Sequence, residues 1–261
     1  MARVAGLYWE SYGPDDGPPL ILSAGLGGSG SYWLPNVPAL TGAGYHVILY
    51  DHRGTGRSDR ALPESVRVDD LADDMLALID GLKLDRPHII GHAAGGVGGL
   101  ALALKAPERL GKLVVVNGWA QLDPHFARCF DARLAILRGA GPEAYLKAQP
   151  IFLFPAAWIS EHDEQLAAET AHHLANFPGA ETMEKRIAAL RAFDITDRLG
   201  EISAPLLTIA AKDDMLVPWT ASFFGDAVPG ATGALMPWGG HACNITDPDR
   251  FEALLLDFLR S

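Results

Sequence analysis

The chain has 261 residues, of which 49% are hydrophobic, so it can bury the core of one α/β domain with an insertion. Its formal net charge of −11 disfavours binding to nucleic acid or to an anionic membrane surface, because both need a positive field. The two cysteines, without CxxC spacing, provide neither a disulfide framework nor a metal site. No run has the length of a signal peptide or a membrane span. We therefore expect a cytoplasmic monomer or homodimer that acts on a small-molecule substrate without metal or cofactor.

Predicted strands alternate with predicted helices along most of the chain. Short apolar runs bounded by glycine, proline or aspartate predict strands over 4–10, 19–24, 46–50, 85–90, 112–117, 205–210 and 233–236. Helices are predicted over 68–81, 96–105 and 249–259. This alternation predicts an α/β fold, with a mostly parallel twisted sheet covered by helices on both faces.

Between residues 120 and 197 the strand pattern stops. Proline and glycine separate four predicted helices over 124–137, 142–148, 156–176 and 182–193. We interpret residues 120–197 as a helical cap, inserted into an α/β-hydrolase core that consists of residues 1–119 and 198–261.

Residues 91–95 (GHAAG) have the frame of the nucleophile elbow G-x-S-x-G, in which a serine lies on a sharp turn between a strand and a helix. Alanine occupies the serine position, as Ala93. A methyl group cannot attack a carbonyl carbon, so this position cannot form an acyl-enzyme. Ala93 is either the native residue or an engineered replacement of serine. His92, beside it, is expected to pack behind the sheet.

Two later segments supply an acid and a histidine. Asp214 follows the predicted strand 205–210 and is followed by proline at position 218, and His241 lies in a Gly-Gly-His loop before the last helix. The chain order elbow, acid, histidine is that of α/β-hydrolases. There the acid orients the imidazole, which moves the proton. Asp213 is an adjacent candidate for the acid. Taken alone, Asp214 also fits a turn and His241 a surface position.

The glycine-rich run 25–30 (GLGGSG) follows the predicted strand 19–24 and resembles the oxyanion-hole segment of these enzymes. We expect the backbone amides of Leu26 and Ala94 to point at one developing negative oxygen, and such donors survive the loss of a side chain. The same run fits the dinucleotide motif GxGxxG, with Asp51 after the next strand. Prolines at 35 and 38 interrupt the helix that a pyrophosphate needs, so we reject nucleotide binding.

Segments throughout the chain resemble one bacterial family, the carbamate or aminoacrylate hydrolases of the Rut pyrimidine-utilisation pathway. These segments are 23–35 (SAGLGGSGSYWLP), 91–95 (GHAAG), 116–119 (VNGW), 128–130 (RCF), 149–155 (QPIFLFP) and 239–248 (GGHACNITDP). The cap segments are the most specific, because caps differ widely between hydrolases. The resemblance implies an α/β-hydrolase fold, an elbow alanine that is the family's own pattern, and hydrolysis of a compound released from the degraded pyrimidine ring.

The resulting hypothesis is a water beside Ala93, activated by His241 and Asp214 without a serine nucleophile. Carbamate would give ammonia and carbon dioxide, and aminoacrylate would give malonic semialdehyde and ammonia. The candidate pocket residues are Ser29, Trp119, Phe152, Trp158 and Arg186. An anionic substrate entering a negative protein needs local cations, for which the candidates are Arg53, Arg128, Arg133 and Arg186.

Two alternatives stay open. A general esterase or amidase would use a displaced nucleophile such as Ser29. A catalytically silent hydrolase fold would bind a small ligand or a partner protein, since fold alone does not fix function.

Overall fold

The computed structural model describes residues 2–261, and eight strands in them form one sheet. The strands are β1 (Arg3–Val4), β2 (Leu7–Tyr12), β3 (Pro19–Ser23), β4 (His46–Tyr50), β5 (His88–His92), β6 (Leu113–Val116), β7 (Leu206–Ala211) and β8 (Thr232–Met236). Their spatial order is β1-β2-β4-β3-β5-β6-β7-β8. β2 pairs antiparallel with β1 and β4, and all other neighbours are parallel. The predicted mostly parallel sheet is confirmed.

The α-helices of the described residues follow the strands in the alternating pattern. They are α1 (Val37–Gly42), α2 (Val68–Gly81), α3 (Ala94–Lys105), α4 (Pro124–Leu153), α5 (Ala156–Glu161), α6 (Asp163–Ala175), α7 (Ala180–Arg191), α8 (Trp219–Ser222), α9 (Cys243–Thr246) and α10 (Pro248–Arg260). Within residues 2–261, none of them combines the length and the apolar character needed to cross a bilayer.

The core consists of two apolar layers, one on each face of the sheet. Because side chains alternate along a strand, Ile89 of β5 belongs to the layer that packs on α2 and α3, whereas Ile90 belongs to the other. That second layer includes Phe251 and Leu255 of α10. Helices therefore cover both faces of the sheet, as the sequence predicts.

Helices α4–α7 all lie between β6 and β7. An isolated bridge between Gln121 and Asp194 holds the two ends of this segment together. Two of the predicted helix boundaries here are wrong. The predicted break before residue 142 is present as a kink in α4 at Gly141, whose φ is +83°, but the second helix runs on to Leu153 instead of ending at 148. The predicted helix 156–176 is interrupted at His162. The division of the chain into core and cap remains a prediction.

Candidate active site

The chain bends sharply at Ala93, between β5 and α3. Its φ of 46° and ψ of −109° define a strained backbone that residues with a Cβ rarely adopt. The flanking glycines are required by close packing. A Cβ on Gly91 would lie 2.3 Å from the backbone of Gly95, and a Cβ on Gly95 would lie 2.3 Å from the carbonyl oxygen of Ser23. The backbone of the nucleophile elbow is therefore present although the serine is not.

His241 and Asp214 form a buried pair. The imidazole donates from Nδ1 to Asp214 Oδ2 at 2.8 Å. The other carboxylate oxygen accepts from the amides of Leu216 at 2.8 Å and Val217 at 3.0 Å, which fixes the carboxylate after β7. His241 Nε2 makes no hydrogen bond within the described residues, and this atom is partly accessible to solvent. The pair can therefore orient Nε2 to take or give a proton.

The two adjacent acids have different contacts. Asp213 is exposed and accepts from the amide of Gly240 at 3.0 Å, one residue before the histidine. Asp214 contacts the imidazole itself. Asp213 thus holds the histidine loop, and the geometry favours Asp214 as the acid of the pair.

Two further side chains hold the histidine loop by its backbone. The carbonyl oxygen of His241 accepts from Nε2 of His92 and from Nδ2 of Asn117, both at 2.7 Å. Asn117 Oδ1 accepts from the amide of Ala211 at 3.1 Å, so this side chain joins the ends of β6 and β7 to the loop. Burial, followed by the neighbouring His241, lowers the pKa of His92 well below its usual range, so His92 is neutral.

Sequence reasoning placed His92 among the packing residues and gave Asn117 no role. The His92 ring lies between Tyr32, at a centroid distance of 4.8 Å, and His241, at 4.7 Å. The signal available in the sequence was position alone: His92 adjoins the elbow, and Asn117 follows the next strand of the sheet. Both positions lie at the carboxyl edge of parallel strands, where active sites of this architecture form.

The two amides expected at the oxyanion site start from neighbouring strands. Ser23 of β3 pairs in register with Gly91 of β5, and Leu26 and Ala94 each follow three residues later. Ala94 is the first residue of α3, so its amide has no acceptor within the helix. In the described turns and loops, the Leu26 amide takes part in no backbone hydrogen bond. Both donors are available to a ligand.

Three aromatic pocket candidates lie in or near the helical segment. Trp119 is buried and packs edge-on against Phe126, with ring centroids 4.4 Å apart. Phe152 precedes Leu153, whose carbonyl accepts from the amide of Ala242 in the histidine loop at 3.0 Å. Trp158 stacks on His162 at 4.0 Å. Their contact with a ligand remains a prediction.

Arg186 joins α7 to the core. Its guanidinium donates to the carbonyl of Leu26 at 3.1 Å, to the carbonyl of Arg53 at 3.3 Å and to Nδ1 of His52 at 2.9 Å. Burial lowers its pKa to about 10. Arg186 also lines a cavity of ≈ 40 Å³ that extends to Ala94. Most of its donors are therefore used within the protein.

The contact between Arg186 and His52 also determines what a buried serine–histidine pair can do. Ser23 Oγ lies 3.0 Å from Nε2 of His52. Because a guanidinium can only donate, Nδ1 of His52 must accept from Arg186, and Nε2 then has the proton and donates to Ser23. Burial and the Arg186 charge also lower the pKa of His52 well below its usual range. His52 cannot act as a base for Ser23.

The remaining sequence candidates have other partners. Ser29 Oγ lies 2.8 Å from Ser31 Oγ, and no histidine is within hydrogen-bond distance of it among the described residues. The Asp51 carboxylate accepts from the amide of Gly30 at 2.9 Å and from Arg57 at 2.9 Å. The Asp51 carboxylate is thus occupied within the protein. No three His, Cys, Asp or Glu residues of the described part of the chain are grouped as metal ligands.

The chain is similar in sequence to known proteins. The family of the alpha/beta hydrolase fold matches residues 18–248. Proteins named "Putative carbamate hydrolase RutD" are similar over nearly the whole chain. The one from Variovorax paradoxus (strain S110) is 51% identical, covering 97% of this chain and 96% of its own length. The one from Agrobacterium fabrum (strain C58) is 47% identical, covering 97% and 98%.

Solved structures agree with the fold. A hydrolase from Pseudomonas aeruginosa PA01 superposes with a TM-score of 0.87 at 29% identity, covering 98% of this chain and 94% of that one. The enol-lactonase from Burkholderia xenovorans LB400 has a TM-score of 0.87 at 26% identity, covering 100% and 99%. The chain therefore belongs to the α/β-hydrolase fold family and, within it, to the family of the carbamate hydrolases named RutD.

Proposed function

We propose that this protein hydrolyses a small, labile C–N compound of pyrimidine degradation, either carbamate or aminoacrylate. The names of the relatives support carbamate, and the family resemblance adds aminoacrylate and the place in pyrimidine degradation. The proposed catalytic groups are His241 and Asp214, joined by a water molecule near Ala93 when the substrate is aminoacrylate. The backbone amides of Leu26 and Ala94 are the proposed anion donors.

A single observation supports this mechanism most strongly. The histidine–aspartate pair is assembled at 2.8 Å next to an elbow that has kept its strained backbone and lost its nucleophile. In serine proteases, removal of the nucleophile leaves about 10³–10⁴-fold catalysis over water. Such an acceleration is too small for a stable ester or amide. It is adequate for a compound that already decays in water.

For carbamate the essential step is transfer of a proton to nitrogen. Protonated His241 gives the proton on Nε2 to the amine nitrogen of the substrate, and the C–N bond breaks with its electron pair going to nitrogen. Ammonia leaves, and the carboxylate carbon leaves as carbon dioxide. The imidazole regains a proton from solvent, and Asp214 holds it in orientation throughout.

For aminoacrylate the same groups add water. Protonated His241 gives its Nε2 proton to the carbon next to the carboxylate, which leaves an iminium at the amine-bearing carbon. Water attacks that carbon and gives a proton back to His241 Nε2, which forms a carbinolamine. The imidazolium then protonates the nitrogen, and ammonia leaves with the electron pair of the C–N bond. The hydroxyl proton returns to Nε2 as the carbonyl of malonic semialdehyde forms. Neither sequence needs a covalent bond to the protein.

Replacement of His241 by alanine tests the proposal. We expect the enzyme-dependent rate of ammonia release to fall by about 10²- to 10⁴-fold, the usual contribution of a general acid–base. Ammonia release from freshly prepared carbamate and from aminoacrylate is followed, after subtraction of the decay without protein. His172→Ala, at an exposed position on α6, is the matched control and should retain the rate. An H241A rate equal to that of the wild type would disprove the mechanism.

A further inference from the structure

Arg133 is a buried cation in α4 without an acidic partner. Its side chain is 4% exposed. One terminal nitrogen donates to Tyr145 Oη at 2.7 Å and to Gln149 Oε1 at 3.3 Å, both neutral groups. Its Nε is buried and has no hydrogen-bond partner. No ion pair of the described residues includes Arg133.

Such an arrangement is costly unless a ligand completes it. A buried charge that lacks a counter-ion loses hydration without electrostatic compensation. Other partly or fully buried arginines in this protein have strong acceptors. Arg53 pairs with Asp74 at 2.8 Å, and Arg57 pairs with Asp51 at 2.9 Å. Arg186 donates to three acceptors. Arg133 alone among these keeps a buried donor unused.

A chain of contacts links Arg133 to the proposed active site. Its guanidinium lies 5.7 Å from the ring centroid of Phe152, and the carbonyl of the next residue, Leu153, accepts from the amide of Ala242, the residue after His241. The Cys129 thiol, one turn before Arg133, lies 3.7 Å from the carbonyl oxygen of Met215, the residue after Asp214.

Arg133 is also linked to the oxyanion segment, through its partner Tyr145. Tyr145 belongs to a small apolar cluster with Leu137, Leu146 and Met183, and Leu26 packs against that cluster. The neighbours of Arg133 thus contact both the histidine loop and the Leu26 segment. These two segments border the space between His241 and the two free amides.

We propose that Arg133 binds the carboxylate of a small monocarboxylate substrate in this space. The inference rests on the proposed function for the reaction itself and adds the residue that selects the substrate. Carbamate and aminoacrylate both contain a carboxylate. The unused Nε donor can donate to one carboxylate oxygen, and the positive charge of the guanidinium attracts the whole group. With the carboxylate on Arg133, the C–N bond is directed toward His241.

This site accounts for two properties of the protein. A chain with net charge −11 does not attract an anion at long range, so a cation inside the site must supply the attraction. Neutral esters and amides of similar size are rejected, because they leave the buried guanidinium unpaired. Arg133 is thus a specificity residue, distinct from the proton-transferring pair.

Binding of propionate and of propionamide tests the inference. Neither is a substrate of the proposed reaction, and they are close in shape but differ in charge. In NMR titrations we expect wild-type protein to prefer propionate. We expect Arg133→Met to weaken propionate binding by about 10- to 100-fold, the value of a charge-assisted hydrogen-bond pair, with propionamide binding unchanged. Arg138→Met, at an exposed position of α4, should bind both compounds as the wild type does.

Three results would overturn the site: no propionate binding by the wild type, equal propionate binding by R133M, or a parallel loss of propionate and propionamide binding. If R133M does not fold, Arg133→Lys keeps the charge and loses the fork, and it should bind propionate several-fold more weakly than the wild type. Lysine binding as strongly as arginine would also overturn the site.

The two proposals fail separately. Loss of propionate binding in R133M, together with ammonia release that is independent of His241, would keep the carboxylate site and reject the reaction. Ammonia release that depends on His241, together with an unchanged KM in R133M, would keep the reaction and reject the site.

Discussion

At position 93 a methyl group stands where α/β-hydrolases place a hydroxyl, and the surrounding groups have not collapsed around it. The backbone there is bent at φ 46°, and the imidazole of His241 is held by Asp214 at 2.8 Å with Nε2 unbonded. Activation of a serine requires such an imidazole and free amides for the oxyanion. We therefore expect a serine at this position to be reactive without any other change.

The variant Ala93→Ser tests whether the elbow is still competent. We expect it to react with a serine-directed fluorophosphonate, seen as a single mass adduct on the intact protein, whereas the wild type stays unmodified. The physical reason is that the restored Oγ can give its proton to His241 Nε2.

The double variant A93S/H241A is the control and should lose the adduct, since the hydroxyl then lacks its base. An adduct on the wild type would instead favour a displaced serine such as Ser29 and the general esterase alternative. An unmodified A93S protein with native thermal stability would show that the imidazole and position 93 are not aligned.

Whether a site residue can be predicted from the sequence depends on how far its contacts lie from it in the chain. Ala93, Asp214 and His241 are predictable because each lies in a short motif with a known chain order. Asn117 is not, because its role is a hydrogen bond to a residue 124 positions away. Likewise, no local pattern distinguishes Arg186, which donates to the core, from Arg133, which keeps an unused donor. Only the folded contacts separate the two.

The contact between β5, α3 and β3 leaves no room for side chains at the elbow. A Cβ on Gly95 would lie 2.3 Å from the carbonyl oxygen of Ser23 and 2.6 Å from its Oγ, and all these atoms belong to buried segments. Glycine here permits the close approach that sets the distance between the Leu26 segment and α3.

Substitution of Gly95 by alanine should therefore lower the free energy of unfolding by about 3 kcal/mol or more, the upper range for overpacking. Gly139→Ala is the matched control, because Gly139 also lies in a helix and a Cβ there meets nothing within 4 Å. It should be neutral or stabilise by up to about 1 kcal/mol through helix propensity. Urea denaturation of both variants checks the difference, and equal stabilities would contradict the packing argument.

Helices could be predicted where the apolar period and the boundary residues agree. They could not be predicted where tertiary packing determines the structure. The helix α2 has the predicted bounds, since its apolar period is clear over Val68–Gly81. The helix predicted over 156–176 illustrates the opposite case. Its sequence predicts one continuous helix, yet the chain leaves helical geometry at His162, between α5 and α6. The six-residue α1 was missed because prolines at 35 and 38 obscure its pattern.

Acid sensitivity is a property of the whole molecule that follows from its buried histidines. Burial, and next the Arg186 charge, lowers the pKa of His52, and burial likewise lowers that of His92. Above pH 6.5 both rings are neutral in the folded and the unfolded chain, so they contribute nothing to the pH dependence. Below it the unfolded chain binds protons that the folded chain does not. The free energy of unfolding therefore falls as the pH falls.

Each such histidine contributes a slope of about 1.4 kcal/mol per pH unit. We expect the variant His52→Gln to reduce the slope between about pH 6.5 and 5 by this amount, measured by urea denaturation across the range. Above pH 7 the curves of the variant and the wild type should run parallel, which serves as the internal control. An identical slope in both proteins below that range would show that His52 is protonated in the folded state.

The bend at Ala93 also fixes where α3 begins. A strained residue of this kind lowers the folding stability by about 1–3 kcal/mol. In enzymes with a serine here the strain exposes the serine oxygen, and Ala93 has no such oxygen. The bend still aims the first turn of a twelve-residue helix, whose macrodipole gives about half a positive charge at that end. In the proposed site a carboxylate would lie between this pole and the guanidinium of the cap. Capture of the anion would then begin only after it has passed the negative exterior, so attraction inside the site would govern binding more than long-range steering.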